Sequence, residues 1–256
     1  MPFRSIYCCE RVIFIPTIYL SPSTQEFNPY VTGGNEEQYM NLVADAMIPY
    51  LTASGINYVR NTPDMTAASS IAESNRGNYD VHLALHSNAS NNGSVMGSEA
   101  YYYPYSRNGQ RLAEIIANNF KMIYPYPNLV RTVPTTTLGE VRRTKAPSVL
   151  FEIAYHDNVE DANWIKANID SIARNIVISL TDYFNIPFNE PDGGGYNARV
   201  VTNGGNLNIR QRPDIYSNIV GKVPNGATVT VLNGSGDWRL IRYGNTTGYV
   251  YKFYLQ

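Results

Sequence analysis

The chain has 256 residues, 43% hydrophobic and only 16% charged, and its 20 Lys and Arg against 21 Asp and Glu leave a net charge of −1. That balance excludes the basic surface nonspecific nucleic-acid binding needs, because phosphate contacts depend on displacing counterions. No apolar run reaches the ~20 residues of a membrane span, whereas 21 tyrosines on a low-charge chain suit a sugar polymer, whose rings pack on aromatic faces.

Arg4 and Arg11 precede an apolar run from Val12 to Leu20 broken by Pro16, which faintly imitates a secretory leader. The run leads into a strand at Ile18–Leu20, and the strand is the reading adopted, since removing it would strip an edge from the sheet. Cys8 and Cys9 are the only cysteines. As neighbours on a strand they point to opposite faces, and without a CxxC there is neither a disulfide framework nor a thiolate metal cluster. Glu36–Ser54 has a helical period through Leu42, Val43, Ala46, Met47 and Tyr50 and stops at Gly55. Ile56–Val59 reads as strand, Ala67–Asn75 as helix, Val81–Leu85 as strand, Arg107–Tyr124 as helix, Ser148–Ile153 as strand and Val159–Phe184 as one or two helices. The alternation predicts an α/β fold with a mostly parallel sheet flanked by helices.

The stretch Phe188-Asn-Glu-Pro-Asp-Gly-Gly-Gly-Tyr196 then reads as a linker. Short strands follow at Leu207–Ile209, Ile219–Val223, Thr228–Leu232, Trp238–Tyr243 and Thr247–Tyr251, separated by Gly- or Pro-containing turns, which predicts a small all-β barrel. The expected division is 1–187, a linker at 188–197, and 198–256.

Three segments carry chemistry. In Leu83-Ala-Leu-His-Ser-Asn-Ala89 a strand ends at His86, and ligand sites of parallel α/β sheets lie beyond the carboxyl ends of strands. His86 is placed there to bind a metal, to move a proton, or simply to cap the strand. Glu152 sits in the apolar strand Ser148-Val-Leu-Phe-Glu-Ile-Ala154. A buried carboxylate is costly unless paired or protonated, so it is either a general acid/base of raised pKa or the partner of Arg142 or Arg143. Glu36 opens the first long helix, where an acidic residue also serves the helix dipole.

Taken in order, the helix start Glu36-Glu-Gln-Tyr-Met-Asn-Leu-Val-Ala44, Leu85-His-Ser-Asn-Ala89, and Thr144-Lys-Ala-Pro-Ser-Val-Leu-Phe-Glu152 with Asp157-Asn-Val-Glu-Asp161 resemble the zinc-dependent N-acetylmuramoyl-L-alanine amidases of type 3 over residues 17–186. The resemblance implies one zinc ion held by Glu36 and His86, with Glu152 as catalytic acid/base for cleavage of the amide between muramic acid and L-alanine. The family's further zinc-binding His, in an Asp-Pro-Gly-His-type loop, is absent; the corresponding loop reads Ser21-Pro-Ser-Thr-Gln25, and no His precedes His82. Gln25 or Thr24 occupies that place; Gln25 is the expected replacement, its amide oxygen being a weaker donor than imidazole. His82 reads as core and His156 as a neighbour of the site. Asn88 is expected to orient substrate or the His86 backbone, and Arg142 to pair with Glu152 or a stem-peptide carboxylate.

Gly205-Asn-Leu-Asn-Ile-Arg-Gln-Arg-Pro213, Gly236-Asp-Trp238 and Thr247-Gly-Tyr-Val250 resemble bacterial SH3-like domains. That resemblance implies wall binding, with Trp238 and Tyr249 as aromatic contacts or as fillers of the barrel, and Arg210 as a structural donor. The expectation is a monomeric peptidoglycan hydrolase made in the cytoplasm and acting at the bacterial cell wall after lysis, holin release or secretion. The alternative is an amidase-like protein that only binds the wall.

Overall fold

The apolar run at Ile18–Leu20 becomes β1 (Thr17–Pro22), which lies inside a six-stranded sheet rather than at its edge. The computed structural model describes residues 15–191, 196–210, 213, 215–235, 237–244 and 246–256. The leader-like arginines and both cysteines fall outside those residues, as do positions 192–195 of the expected linker.

Around β1 the order is β2 (Asn57–Arg60), β1, β3 (Val81–Asn88), β6 (Ser148–Tyr155), β4 (Ser98–Tyr102), β5 (Val130–Pro134). All neighbours are parallel except β4 and β6, which run antiparallel. The mostly parallel sheet is therefore as the alternation predicts. β4 and β5 are additions that the sequence reading lacks, and Val159–Phe184 resolves into two helices.

The two faces of the sheet are covered unequally. Alternate residues of a strand point to opposite faces. Val81, Leu83 and Leu85 enter the main core with residues of α1 (Glu36–Ala53), α3 (Arg107–Phe120) and α6 (Ile169–Phe184). Ala84 and Leu150 face the other way and meet only Val141 of the four-residue helix α4 (Gly139–Arg142), with Tyr101 and Leu138 beside them. α2 (Ala67–Ser74) borders this thinner side, and α5 (Val159–Ala167) closes the end of β6. His82, His86 and Glu152 take the alternate positions, so the chemistry lies on the thin face.

The second unit is an all-antiparallel six-stranded sheet, in the order β7 (Tyr196–Arg199), β10 (Thr228–Ser235), β11 (Trp238–Tyr243), β12 (Thr246–Tyr251), β8 (Leu207–Arg210), β9 (Ile219–Val223). Val200, Ile209, Val223, Ile241 and Val250 are fully buried within it. Arg210 donates to the Ser217 carbonyl at 2.9 Å, the structural role its motif implied.

Candidate active site

Two glycines and a cap bring Glu36 to the sheet. Gly33 and Gly34 both adopt positive φ, +89° and +82°, and a Cβ on Gly34 would lie 2.6 Å from the Tyr39 ring. The turn therefore needs glycine. Asn35 then caps α1, its side chain accepting from the Gln38 N–H at 2.8 Å. Glu36, 1% exposed, reaches over the end of β3: its Oε1 is 2.8 Å from His86 Nδ1, and its Oε2 accepts from Asn28 at 2.6 Å.

Strand register supplies the rest. His86 pairs with Glu152 across β3 and β6, Glu152 with Glu99 across β6 and β4, and Glu99 with Arg131 across β4 and β5. Paired residues share a face, so a row of ionisable groups crosses four strands. A bulge follows immediately: His86 to Asn88 on β3 spans Glu152 to Tyr155 on β6. Bulges commonly re-aim side chains beside functional sites. Glu99 is held by Arg131 Nε at 2.8 Å, Tyr101 at 2.6 Å and Asn88 at 3.1 Å. Glu152 Oε2, by contrast, is buried and has no hydrogen-bond partner among the described residues.

The electrostatics follow from this crowding. Burial pushes Glu152 up to about 8; His86 opposes that, while the carboxylates of Glu36, Glu99 and Glu140 add to it. Burial works against a charge on His86, but hydrogen bonds with Glu140 and Glu36 outweigh it and raise the imidazole well above its usual value. Glu140 and Glu36 are both lowered despite burial, through their contacts with the histidines. Without a metal, the cluster thus favours protons on Glu152 and His86 and ionised carboxylates at Glu36 and Glu140.

Gln25 lies beside His86: its amide nitrogen is 3.3 Å from His86 Nδ1, and its oxygen accepts from Asn28 at 3.2 Å. Turning the amide by 180° presents its oxygen to the same point. No group of three His, Cys, Asp or Glu placed to hold a metal occurs among the described residues, and this amide is a neutral oxygen donor in position to complete a set with Glu36 and His86. One imidazole nitrogen, one carboxylate and one amide oxygen suit a divalent cation of zinc's type, though more weakly than a two-imidazole set. The excess of carboxylates around His86 and the unpartnered Glu152 oxygen favour positive charge there. A cavity of about 410 Å³, lined by Ser21, Thr24, Gln25, Asn61, His86 and Glu140 among others, opens beside these donors.

Other expected residues lie differently. Asn88 spends its amide on Glu99, and its side-chain oxygen accepts from the Ala89 N–H at 2.8 Å, so it braces the row. Arg142 is exposed and, like Arg143, forms no ion pair with Glu152 among the described residues; it lines a separate cavity with Tyr103, Tyr105 and Arg107. His156 bonds Ser87, from Nδ1 to the carbonyl at 2.7 Å, and stacks on Tyr30. His82 is buried as expected, yet it shares a carboxylate, Glu140, with His86. Tyr249 is 8% exposed, with its hydroxyl bonded to Ser171 of α6, so its ring is not presented to a polymer. Trp238 stays half-buried against Tyr251, ring centroids 5.5 Å apart, at a groove of about 840 Å³ that also includes Asn206, Arg210 and Tyr254. Sequence reasoning missed Glu140, Glu99 and Asn28.

The family model for N-acetylmuramoyl-L-alanine amidases matches residues 25–182. The chain belongs to this amidase family. A bacterial SH3 domain model matches residues 205–256. The Bacillus subtilis (strain 168) N-acetylmuramoyl-L-alanine amidase LytC is 30% identical over 177 residues, a match covering 66% of this chain and 35% of that protein. The chain thus spans about a third of the length of that curated relative. Among solved structures, the amidase AmiC2 of Nostoc punctiforme superposes with a TM-score of 0.60 at 19% identity, covering 67% of this chain and 98% of that one. Cwp6 from Clostridium difficile gives 0.57 at 25%, covering 66% and 29%. The amidase fold thus occupies the first two thirds of the chain, and no helix among the described residues is long and apolar enough to cross a membrane.

Proposed function

We propose that this chain hydrolyses the amide between N-acetylmuramic acid and the L-alanine of the peptidoglycan stem peptide. The observation that carries the reading is the unpartnered Glu152 oxygen, register-paired with His86 on the open face of an amidase fold. Glu36, His86 and Gln25 would hold a zinc ion. Zinc so held would polarise the amide carbonyl and acidify water. Glu152, in its ionised form, takes the proton from the attacking water, its raised proton affinity favouring that transfer, and returns it to the departing L-alanine amine. Glu99, fixed by Arg131, Tyr101 and Asn88, keeps negative charge beside Glu152 and so strengthens the Glu152 carboxylate as the base that receives the water's proton. The cavity beside His86 would admit the scissile bond.

The SH3-like unit, taken from β7 (Tyr196–Arg199) onward rather than from 198, would hold the wall in the groove beside Trp238 and raise the local substrate concentration. The protein would act as a monomer at the cell wall after synthesis in the cytoplasm.

The test uses purified protein on Gram-positive peptidoglycan, with newly exposed L-alanine amino termini read by mass spectrometry with and without a chelator. Chelator-sensitive release is expected, and Glu152→Gln should abolish it while the protein still sediments with the wall. Sedimentation of the parent without release would mean a wall-binding protein instead.

A further inference from the structure

Glu140 has no part in the acid/base chemistry above, yet it is a buried carboxylate held on both sides. It is 4% exposed on α4, and both oxygens are engaged. Oε1 accepts from Ser21 Oγ at 2.6 Å and lies 3.3 Å from His82 Nε2, while Oε2 is 3.1 Å from His86 Nε2. His82 is anchored in turn, its Nδ1 2.9 Å from Ser74 Oγ and its ring stacked on Tyr19. Burying a carboxylate costs free energy that an apolar residue of similar size would not, so packing alone does not account for it.

The position is telling. Glu36 and Gln25 approach one edge of the His86 ring, at Nδ1, and Glu140 approaches the other, at Nε2. A proton kept on Nε2 by a carboxylate leaves the Nδ1 lone pair facing the donor cluster, and the negative partner makes that nitrogen a stronger donor. We propose that Glu140 is a positioning residue that fixes His86 as its Nε2–H tautomer and strengthens Nδ1 toward a divalent cation. It thereby offsets the weak amide donor at Gln25. The same Ser-Pro-Ser-Thr-Gln loop supplies both halves of the arrangement: Gln25 at the donor cluster and the Ser21 hydroxyl that holds Glu140. The proposal rests on the metal reading above.

The experiment measures zinc affinity of the full chain by competition with a chromophoric chelator. Glu140→Gln can still accept from His86 and donate to His82, so its thermal midpoint should stay near the parent's while zinc binds 10–100-fold more weakly. Ser21→Ala, which removes only the brace, should weaken zinc in the same direction by roughly threefold, a minor share of that loss. The imidazole ¹⁵N shifts of His86 in zinc-loaded parent should report Nδ1 coordinated and Nε2 protonated, and the visible bands of the cobalt form should move in Glu140→Gln. Parent-like zinc affinity in both variants, with affinity lost in Glu36→Gln, would overturn the role of Glu140 and leave the metal reading standing. Zinc bound through Nε2 would overturn it as well. A parent protein with no zinc affinity would overturn both.

Discussion

Glu152 ties stability to pH in a direction opposite to that of an ordinary carboxylate. Its folded-state pKa, about 8, lies above the unfolded value, so the folded state binds the extra proton between roughly pH 4.5 and 8. Its stabilising effect is complete below the unfolded pKa and is lost as pH rises through the folded one. Metal-free parent should therefore lose about 1.4 kcal/mol per pH unit across that window relative to Glu152→Gln. Urea unfolding of both proteins at a series of pH values checks this, and parallel pH profiles would refute the raised pKa. At this scale the sequence was partly legible. His86 and Glu152 were readable because a charged residue at the end of an apolar strand has to be explained. Glu140 was not, since it meets histidines 58 and 54 residues distant through a helix too short to have a period. The expected pairing of Arg142 with Glu152 is absent among the described residues for the same reason: on that helix Glu140 and Val141 take the buried positions and Arg142 is exposed.

At the scale of elements, the long helices and the central strands follow from periodicity, because each buries a continuous apolar face. β4 and β5 escaped that pattern. Ser98-Glu-Ala-Tyr-Tyr carries a buried Glu99 that belongs to the site, and Val130-Arg-Thr-Val-Pro is a short edge strand ending in proline. Function and edge position had erased the alternation that would have marked them. The junction between these strands and the helices is held by Asp161, 1% exposed. It accepts from Tyr124 at 2.5 Å and from the N–H groups of Gly97 and Tyr155 at 3.1 and 3.0 Å. Asp161→Ala would leave three buried donors without their acceptor. A loss of about 3 kcal/mol or more is expected in urea unfolding, with release of L-alanine termini reduced because β6 carries Glu152.

Across the whole molecule, the aromatic residues sort themselves by exposure. Trp238 at the barrel groove and Tyr249 under it looked equivalent in sequence; the contact with Ser171 separates them. Trp238→Ala should lower wall affinity about tenfold, a loss of ~1.4 kcal/mol, while leaving hydrolysis of a soluble muropeptide unchanged; sedimentation and mass spectrometry read the two effects separately. The seating of Tyr249 on α6 has a mechanical consequence as well. A barrel kept on the helix behind the amidase sheet by this contact would set a fixed reach from groove to site where a free tether would swing. From any one foothold only bonds at that radius and bearing come within range. Degradation of a wall would then advance as scattered nicks separated by dissociation and re-landing, so new amino termini would accumulate well before the wall loses turbidity.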